Sequence, residues 1–402
     1  MSHTVAEYKE SVSAILSNLD LNNIADLNPS LERAVTNLIE RADIPEASGI
    51  QNITLYSNVY DYPISTKIFG TKVVDIAPQG VSRPVWDGVT KTNQQNFDRT
   101  KGYLANGTRF TFKYLDGNPV IRIATQNTTP SVNINQCSEI GTWVAAGSAS
   151  GLTVDTANYY QQPASLRFTL TGSSLGTLTN NLTNASNLST YQGVGVVFLA
   201  VYIPDATTLT SISLKLGSSA SDYSEVTSTQ GFLGTWTSDN WQLVAFDMST
   251  ASSTGTPNWS AIDYVQVGFN HTATQTNFRV GSLFIAQPSP NQIYYYSNAI
   301  FTPTGTTTAL KTITADTDTV ILNDSAYTIY LYEGALALLE NTSGGMGDPM
   351  YARVQEKLNG NGGQIKGLYS QYQGSNPSQE VRTLGSYYGT QNNWGYGSSR
   401  GF

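Results

Sequence analysis

Cysteine occurs once in the 402 residues, at Cys137, so no disulfide can close within the chain. A disulfide-stapled framework is excluded, and synthesis in a reducing compartment is expected. Charge is scarce as well. Only 12% of residues are charged, about half the usual share. The 29 acids outnumber the 21 bases, giving a net charge of −8 and a pI near 4.8. That balance argues against tight phosphate binding, because affinity for nucleic acid comes mainly from Lys and Arg releasing counterions. No apolar run approaches the roughly 20 residues that a membrane span requires, and the opening Met-Ser-His-Thr-Val-Ala-Glu-Tyr is polar. Neither secretion nor membrane insertion is expected.

Ser, Thr, Asn, Gly and Tyr fill the space left by the missing charges, a composition that favours β-sandwiches with polar surfaces. The chain is too long for a typical single domain and predicts two or three units. Helical spacing is confined to the two ends. Val5, Tyr8, Val12, Ile15, Leu16 and Leu19 mark one amphipathic helix, with Glu7, Lys9 and Glu10 toward solvent. A second follows Asn28-Pro29-Ser30, carries Leu31, Ala34, Val35, Leu38, Ile39 and Ala42, and ends before Pro45. Near the other end, Tyr327, Leu331, Ala335, Leu338 and Leu339 predict a helix starting near Ser325, with Asp324 or Ser325 at its cap, and stopping at Gly344-Gly345. Asp348-Pro349 starts another, with Tyr351, Val354 and Leu358, which Gly360, Gly362 and Gly363 bend or break. The pair reads as a helical hairpin that needs other helices or neighbouring subunits to bury its stripes.

From Ile50 the period changes to two. Ile53, Leu55, Val59, Tyr60, Tyr62, Ile68, Val73, Val74 and Ile76 predict short strands. Arg109 to Tyr114 and Val120 to Ile123 flank Asp116-Gly117, a hairpin signature. Between Pro130 and Pro290 acids outnumber bases eight to three, and some eight apolar or alternating strands recur at even spacing, from Leu166/Phe168/Leu170 to Phe278 through Ile285. That density fits a sandwich or jelly roll, and proline at both ends marks it as an insertion. Strand character resumes at Ile293 to Tyr296, so the elements on either side of the insert are expected to form one interrupted domain.

Chemistry-bearing patterns are few. Gly172-Ser173-Ser174-Leu175-Gly176 matches a nucleophile elbow, yet it lies in a Ser/Thr/Gly tract and only His3 and His271 are available as bases. Asp316-Thr317-Asp318 lacks the glycine and terminal glutamate of a hand-type calcium loop, and Gly360-Asn361-Gly362-Gly363 lacks the Lys-Ser/Thr of a phosphate loop. No paired-carboxylate, CxxC or HExxH site occurs. No enzyme activity, cofactor or metal is therefore expected. Flat rings can cover the apolar faces of pyranoses, so the tryptophans and tyrosines of the insert are candidates for glycan contact: Trp143, Tyr160, Trp236 and Trp241, with Tyr159 and Trp259 beside them, set against the ordinary reading of such rings as core. Beyond Gly374, Tyr387, Tyr388, Trp394, Tyr396 and Phe402 are spaced along a Gly/Ser-rich tail that cannot bury a core of its own. It is read as a flexible arm that docks on a partner.

The two N-terminal helices, the Val59-Tyr60-Asp61-Tyr62-Pro63-Ile64 pattern and the closing Leu331-Tyr-Glu-Gly-Ala-Leu-Ala-Leu-Leu hairpin resemble the head-to-tail adaptor (tail tubular protein A-like connector) of tailed double-stranded-DNA bacteriophages. The insert, through Cys137-Ser-Glu-Ile-Gly-Thr-Trp143, Ala164 to Phe168 and Trp241 to Asp247, is similar to jelly-roll modules related to carbohydrate-binding modules. The resemblance implies an α+β chain: a helical adaptor domain with a short β-section at 1–128 plus 291–374, an all-β sandwich or jelly-roll insertion at 129–290, and an aromatic arm at 375–402. It implies a structural virion protein at the neck, made in the host cytoplasm, forming a dodecameric homo-oligomeric ring. Its partners would be the portal protein, a tail or nozzle protein and copies of itself, with double-stranded DNA passing through without specific binding and no membrane contact. Tyr327, Leu331, Leu338, Tyr351, Val354 and Leu358, with the five aromatics of the arm, are the expected subunit or portal contacts. The alternative is a virion decoration or tail protein whose sandwich binds host-surface glycans.

Overall fold

The structure is a computed structural model, and it describes residues 3–16, 27–70, 72–79, 90–91, 108–115, 117–124, 128–341, 347–361 and 365–375. The chain divides into two compact units. One comprises Met1–Gln51, Ser65–Ile76 and Ile293–Phe402; the other comprises Asn52–Ile64 and Ala77–Gln292.

The first unit is helical. Helix α1 spans Val5–Ile15 and opens on a capping box, in which Thr4 Oγ1 accepts the Glu7 amide at 3.2 Å and the Glu7 carboxylate accepts the Thr4 amide at 2.9 Å. Helix α2 spans Asn28–Arg41, starts with Pro29 in its first turn and buries Leu31, Ala34, Val35, Leu38 and Ile39. Helix α3, Asp324–Glu340, is capped by Asn323, whose Oδ1 accepts the Ala326 amide at 2.8 Å. The cap thus falls one residue ahead of the pair expected to supply it. Helix α4 spans Pro349–Asn359 behind an Asp348 cap, and Gly360, at φ +79°, ends it; α5 follows at Leu368–Ser375. His3–Thr4, Thr319–Val320 and Phe301–Thr302 form a small antiparallel sheet.

Helix α3 is buried on nearly every side, from Ala326, Tyr327 and Tyr330 to Leu336, Leu338 and Leu339. It packs against α1, α2, α4 and α5, so it is the centre of the unit rather than half of a hairpin awaiting partners. Tyr8 stacks on Tyr330 at 4.0 Å and donates to its carbonyl at 2.8 Å. Glu333, fully enclosed on the same helix, receives Arg41 Nη1 at 2.7 Å and the Tyr369 hydroxyl at 2.8 Å, and the Arg41 guanidinium lies 3.9 Å above the Tyr369 ring. Burial pushes the Glu333 carboxyl upward, while Arg41 pulls it back.

The second unit holds a two-layer β-sandwich. Its strands are β1 (Val132–Asn135), β2 (Trp143–Gly147), β3 (Ala149–Asp155), β4 (Ser165–Leu170), β5 (Leu175–Ser186), β6 (Val196–Ile203), β7 (Leu209–Gly217), β8 (Tyr223–Ser228), β9 (Asn240–Asp247), β10 (Ser252–Thr254), β11 (Ile262–His271) and β12 (Gln275–Ala286). One sheet runs β3-β4-β12-β6-β9, with β1 also paired to β12; the other runs β10-β8-β7-β11-β5-β2. All these pairings are antiparallel. Alternate residues, such as Val197, Leu199 and Val201 facing Val265, Val267 and Phe269, fill the space between the layers.

A four-stranded sheet of the same unit, ordered Asp61–Pro63, Asn118–Ala124, Arg109–Leu115, Thr90–Lys91, contains the expected hairpin. Leu115 pairs with Asn118 across Gly117, at φ +80°, where a residue lacking Cβ meets no steric cost; Asp116 lies outside the described residues. The β-section was expected to belong with the helices; Ser65–Ile76 does, whereas Asn52–Ile64 and this four-stranded sheet fall in the unit of the sandwich. The cause is aromatic packing: Tyr56 sits 5.0 Å from Phe198 of β6 and 6.1 Å from Phe232, and Tyr62 lies 5.9 Å from Phe232.

The expected fold class is corrected on the same ground. Among the described residues the molecule is mostly β, 45% strand against 22% helix, with several sheets, and is not a helical adaptor domain carrying an insertion. The strongly periodic helical stripes at the two ends outweighed many short strands whose pairing partners lie far apart in sequence.

Candidate functional site

The site lies on the outer face of the sheet that contains β6, β9 and β12. Strand β6 reads Val-Val-Phe-Leu-Ala-Val-Tyr-Ile without alternation because both of its faces are covered. Val197, Leu199, Val201 and Ile203 enter the sandwich core, whereas Phe198 and Ala200 are buried on the opposite face, under Tyr56 and Phe232. Further along that face the cover ends and the rings become accessible. Tyr202 stands in register with Trp241 of β9, 5.9 Å away edge-on, and Tyr160 lies 5.9 Å from Trp241 on its other side.

Trp241 is held in orientation. Its indole Nε1 donates to Asn158 Oδ1 at 2.7 Å. The Asn158 loop is fixed by Asp155, whose Oδ1 accepts the amides of Ala157 and Asn158 at 2.9 and 3.1 Å and whose Oδ2 accepts Arg279 Nε at 2.8 Å. Burial alone would raise the Asp155 carboxyl, but Arg279 and the two amides outweigh it and hold it below the usual range. Arg279 also covers Tyr202 at 4.9 Å. Beneath the rings sits Gly281. A Cβ there would lie 3.2 Å from Tyr160 Cβ and 3.4 Å from Trp241 Cζ3, so the absent side chain is what lets both rings settle on the sheet.

Trp241 and Tyr160 line a cleft of about 320 Å³, closed by Phe232 of the Gly231–Thr237 loop and by residues of the four-stranded sheet. Carboxamides supply most of its hydrogen-bonding capacity: Asn58, Asn118, Gln161, Asn240 and Gln242. Of the residues lining it, Asp61 and Arg122 carry charge, and they neutralise each other through Nε and Nη2 at 2.7 and 2.8 Å, with Lys113 Nζ on the same carboxylate at 2.8 Å. Burial tends to raise Asp61, but these three bonds win and depress it.

The four ring residues expected to contact glycan thus separate. Tyr160, 39% exposed, and Trp241 come together in the cleft. Trp143 does not: it is 4% exposed, lies in the other sheet within the sandwich core, and its Nε1 donates to Asn135 Oδ1 at 3.3 Å. Trp236 packs half-buried against the same core, and Trp259 is buried within it. Sequence reading missed Tyr202, Phe232, Asn58, Asp61 and Arg122. The stretch Val59 to Ile64 had drawn notice, but nothing local showed that Tyr62 would pack against Phe232, well over a hundred residues later.

The expected subunit contacts are placed differently too. Tyr327, Leu338, Tyr351, Val354 and Leu358 are buried in the core of the helical unit itself, and Leu331 packs half-buried against that core. Tyr327 stacks on His3 at 3.9 Å, and the Tyr351 hydroxyl donates to Glu340 at 3.2 Å. They are occupied within the chain because α1, α2 and α5 enclose the hairpin. Tyr387, Tyr388, Trp394, Tyr396 and Phe402 lie outside the described residues.

The elbow-like Gly172–Gly176 turn carries no triad. His271 instead places Nε2 2.7 Å from Ser148 Oγ, and its Nδ1 faces the Ala273 carbonyl at 2.8 Å rather than a carboxylate. Both side chains are buried, and the pair ties β11 to the β2–β3 corner.

No protein-family model matches the chain, and no curated protein matches it in sequence. Among solved structures, it is similar to the family 30 carbohydrate-binding module of a cellulosomal cellulase of Clostridium thermocellum, at 16% identity over 40% of this chain and 98% of that one, with a TM-score of 0.31. A family 11 module of the same organism, in complex with a β-1,3-1,4-mixed-linked tetrasaccharide, matches at 9% identity over 39% of this chain and 94% of that one, with a TM-score of 0.29. A carbohydrate-binding module of the β-sandwich superfamily matches at 10% identity over 61% of this chain and 99% of that one, also at 0.29. The likeness concerns the sandwich and gives no support to the head-to-tail adaptor. At these identities and scores it decides nothing about the cleft, and the two-layer sandwich is read from its own strand pairing.

Proposed function

We propose that this chain binds carbohydrate through the cleft on the outer face of the β6–β9 sheet, and that it does so without chemical turnover. The observation that supports this reading is the combination of two accessible rings, Trp241 and Tyr160, with five carboxamides among the residues that line the cleft. A sugar ring presents flat patches of C–H that favour an aromatic face, and a rim of hydroxyls that both donate and accept. Carboxamides match such a rim because each also donates and accepts. A cleft of about 320 Å³ is at the small end of the range for ligand sites, with a few polar groups set among apolar walls. The Asp155–Asn158–Arg279 support fixes Trp241 beforehand, so binding does not have to order it.

The test is a glycan array probed with the full chain, followed by calorimetric titration of the glycans that bind. Trp241→Ala and Tyr160→Ala are each expected to weaken binding roughly tenfold, about 1.4 kcal/mol, while leaving the thermal unfolding of the chain close to that of the parent. Absence of binding to any glycan, or affinities unmoved by both substitutions, overturns the proposal.

A further inference from the structure

A second cavity, of about 380 Å³, adjoins the first, and the two share Asn58, Tyr160 and Gln161. Beyond those three, it is lined by Asn133 and Gln136 from β1 and the turn after it, Gln162, and Ser282 and Phe284 of β12. No charged side chain is among the described residues that line it. The two cavities therefore form one groove that crosses the strands of the sheet. It begins at Trp241 on β9, passes over β6 and β12, and ends at Asn133, the partner of Phe284 across β1 and β12. Three strand spacings amount to about 14 Å, longer than any single sugar ring.

The middle of this groove is unusual. Asn58 contributes to both cavities, and it adopts φ +66°, a left-handed conformation uncommon for a residue with a Cβ. Its Nδ2 donates to Ser131 Oγ at 2.7 Å, which fixes the side chain where the two cavities meet, opposite Tyr160. Backbone strain of this kind persists where the surroundings over-determine it, and it concentrates at ligand clamps.

Resting on the carbohydrate reading above, we propose that the site takes an extended, uncharged oligosaccharide that passes between Asn58 and Tyr160 and occupies both cavities at once. Asn58 and Tyr160 form the waist that holds the chain in register. In the second cavity charge selects against acidic glycans: its described lining residues offer an anion only dipoles, so an acidic sugar there would be desolvated without a counter-charge.

The experiment is calorimetry of the full chain with gluco-, xylo-, manno- and galacto-oligosaccharides of one to six units, and with oligogalacturonate as the acidic counterpart. Affinity for the series that binds is expected to rise at least tenfold from two units to five or six, with oligogalacturonate bound at least tenfold more weakly. The double variant Asn133→Ala/Gln136→Ala, which touches the second cavity alone, should reduce hexamer affinity toward that of the dimer and leave dimer affinity unchanged, whereas Asn58→Gly, which keeps the left-handed backbone and removes a carboxamide from both cavities, should weaken the hexamer at least as much as the dimer. A monomer or dimer that binds as tightly as the hexamer overturns the extended groove while leaving the carbohydrate reading in place. So does a hexamer indifferent to both variants, and oligogalacturonate bound as well as a neutral chain overturns the charge selection. If no oligosaccharide of any length binds, the carbohydrate reading itself falls, and this inference with it.

Discussion

The helical unit hides charge and the sandwich unit displays rings. In the first, Arg41 and Glu333 are enclosed among α2, α3, α4 and α5, and the hydroxyls of Tyr8 and Tyr330 are spent on backbone carbonyls. In the second, the space between the layers is apolar around Phe168, Phe269 and Phe278, while Trp241, Tyr160 and Tyr202 line the outer face of one sheet. The difference is one of geometry. Several helices converging on α3 leave no wet face, so polar groups carried inward must find partners there. A sheet has two faces and can bury one while offering the other.

That contrast can be broken most forcefully at the buried ion pair. Arg41→Met leaves Glu333 enclosed without its counter-charge and is expected to lower stability by about 3–5 kcal/mol in urea unfolding followed at a helical circular-dichroism wavelength. Because burial raises the folded-state pKa of Glu333, its contribution is fully present below the ordinary carboxylate range, about 4.3, and is lost as pH rises through the raised value. The variant's deficit should therefore be larger at pH 7 than at pH 4. A deficit independent of pH would mean that Arg41 acts by packing alone.

The two tryptophans sharpen the comparison within the sandwich. Trp143→Ala empties a site between the layers and should cost about 3–5 kcal/mol, whereas Trp241→Ala should cost about 1 kcal/mol or less while weakening glycan binding. Equal losses of stability from both would make Trp241 a core residue and remove the platform. In the helical unit, Gly334→Ala would press a methyl group against the Tyr8 hydroxyl and to within 3.0 Å of Tyr8 Cζ, and about 1–3 kcal/mol of destabilisation is expected by the same urea measurement. An unchanged midpoint would show that Tyr8 moves freely.

The smallest effect concerns Asp61. Its depressed pKa gives a contribution that is present above the ordinary aspartate value of about 3.9 and is lost as pH falls through the lower folded value. Exposure limits that contribution to about 1 kcal/mol. Asp61→Asn should flatten the acid limb of the sandwich unit's pH–stability curve by that amount, and a limb as steep as the parent's would assign the acid sensitivity elsewhere.

Helix positions were legible because their signals are local. Asn28-Pro29 and Asp348-Pro349 each announce a helix start within four residues, and Gly360 ends one, whereas the Thr4–Glu7 capping box went unread. Strand character was legible for the same reason, in alternations such as Leu166, Phe168 and Leu170. The cleft was only half legible. Tyr160 and Trp241 could be named as candidate rings, but Trp143 and Trp236 looked no different in sequence, because an aromatic in a strand points inward or outward according to register. The cover of the helical hairpin was left open for a related reason: its apolar stripes show how much must be buried and are silent on whether other helices of the chain or another copy supplies the cover.

By itself, the sequence determined where regular backbone starts and stops and that the middle of the chain would be a layered β-structure, since each depends on residues within a few positions of one another. Tertiary structure alone decided that Asn52–Ile64 folds with the sandwich, that Trp241 faces outward where Trp143 faces inward, and that Asn58 meets Tyr160. Those outcomes hinge on pairings between residues far apart in the chain, and their energies come from contacts that do not exist until the sheets have formed.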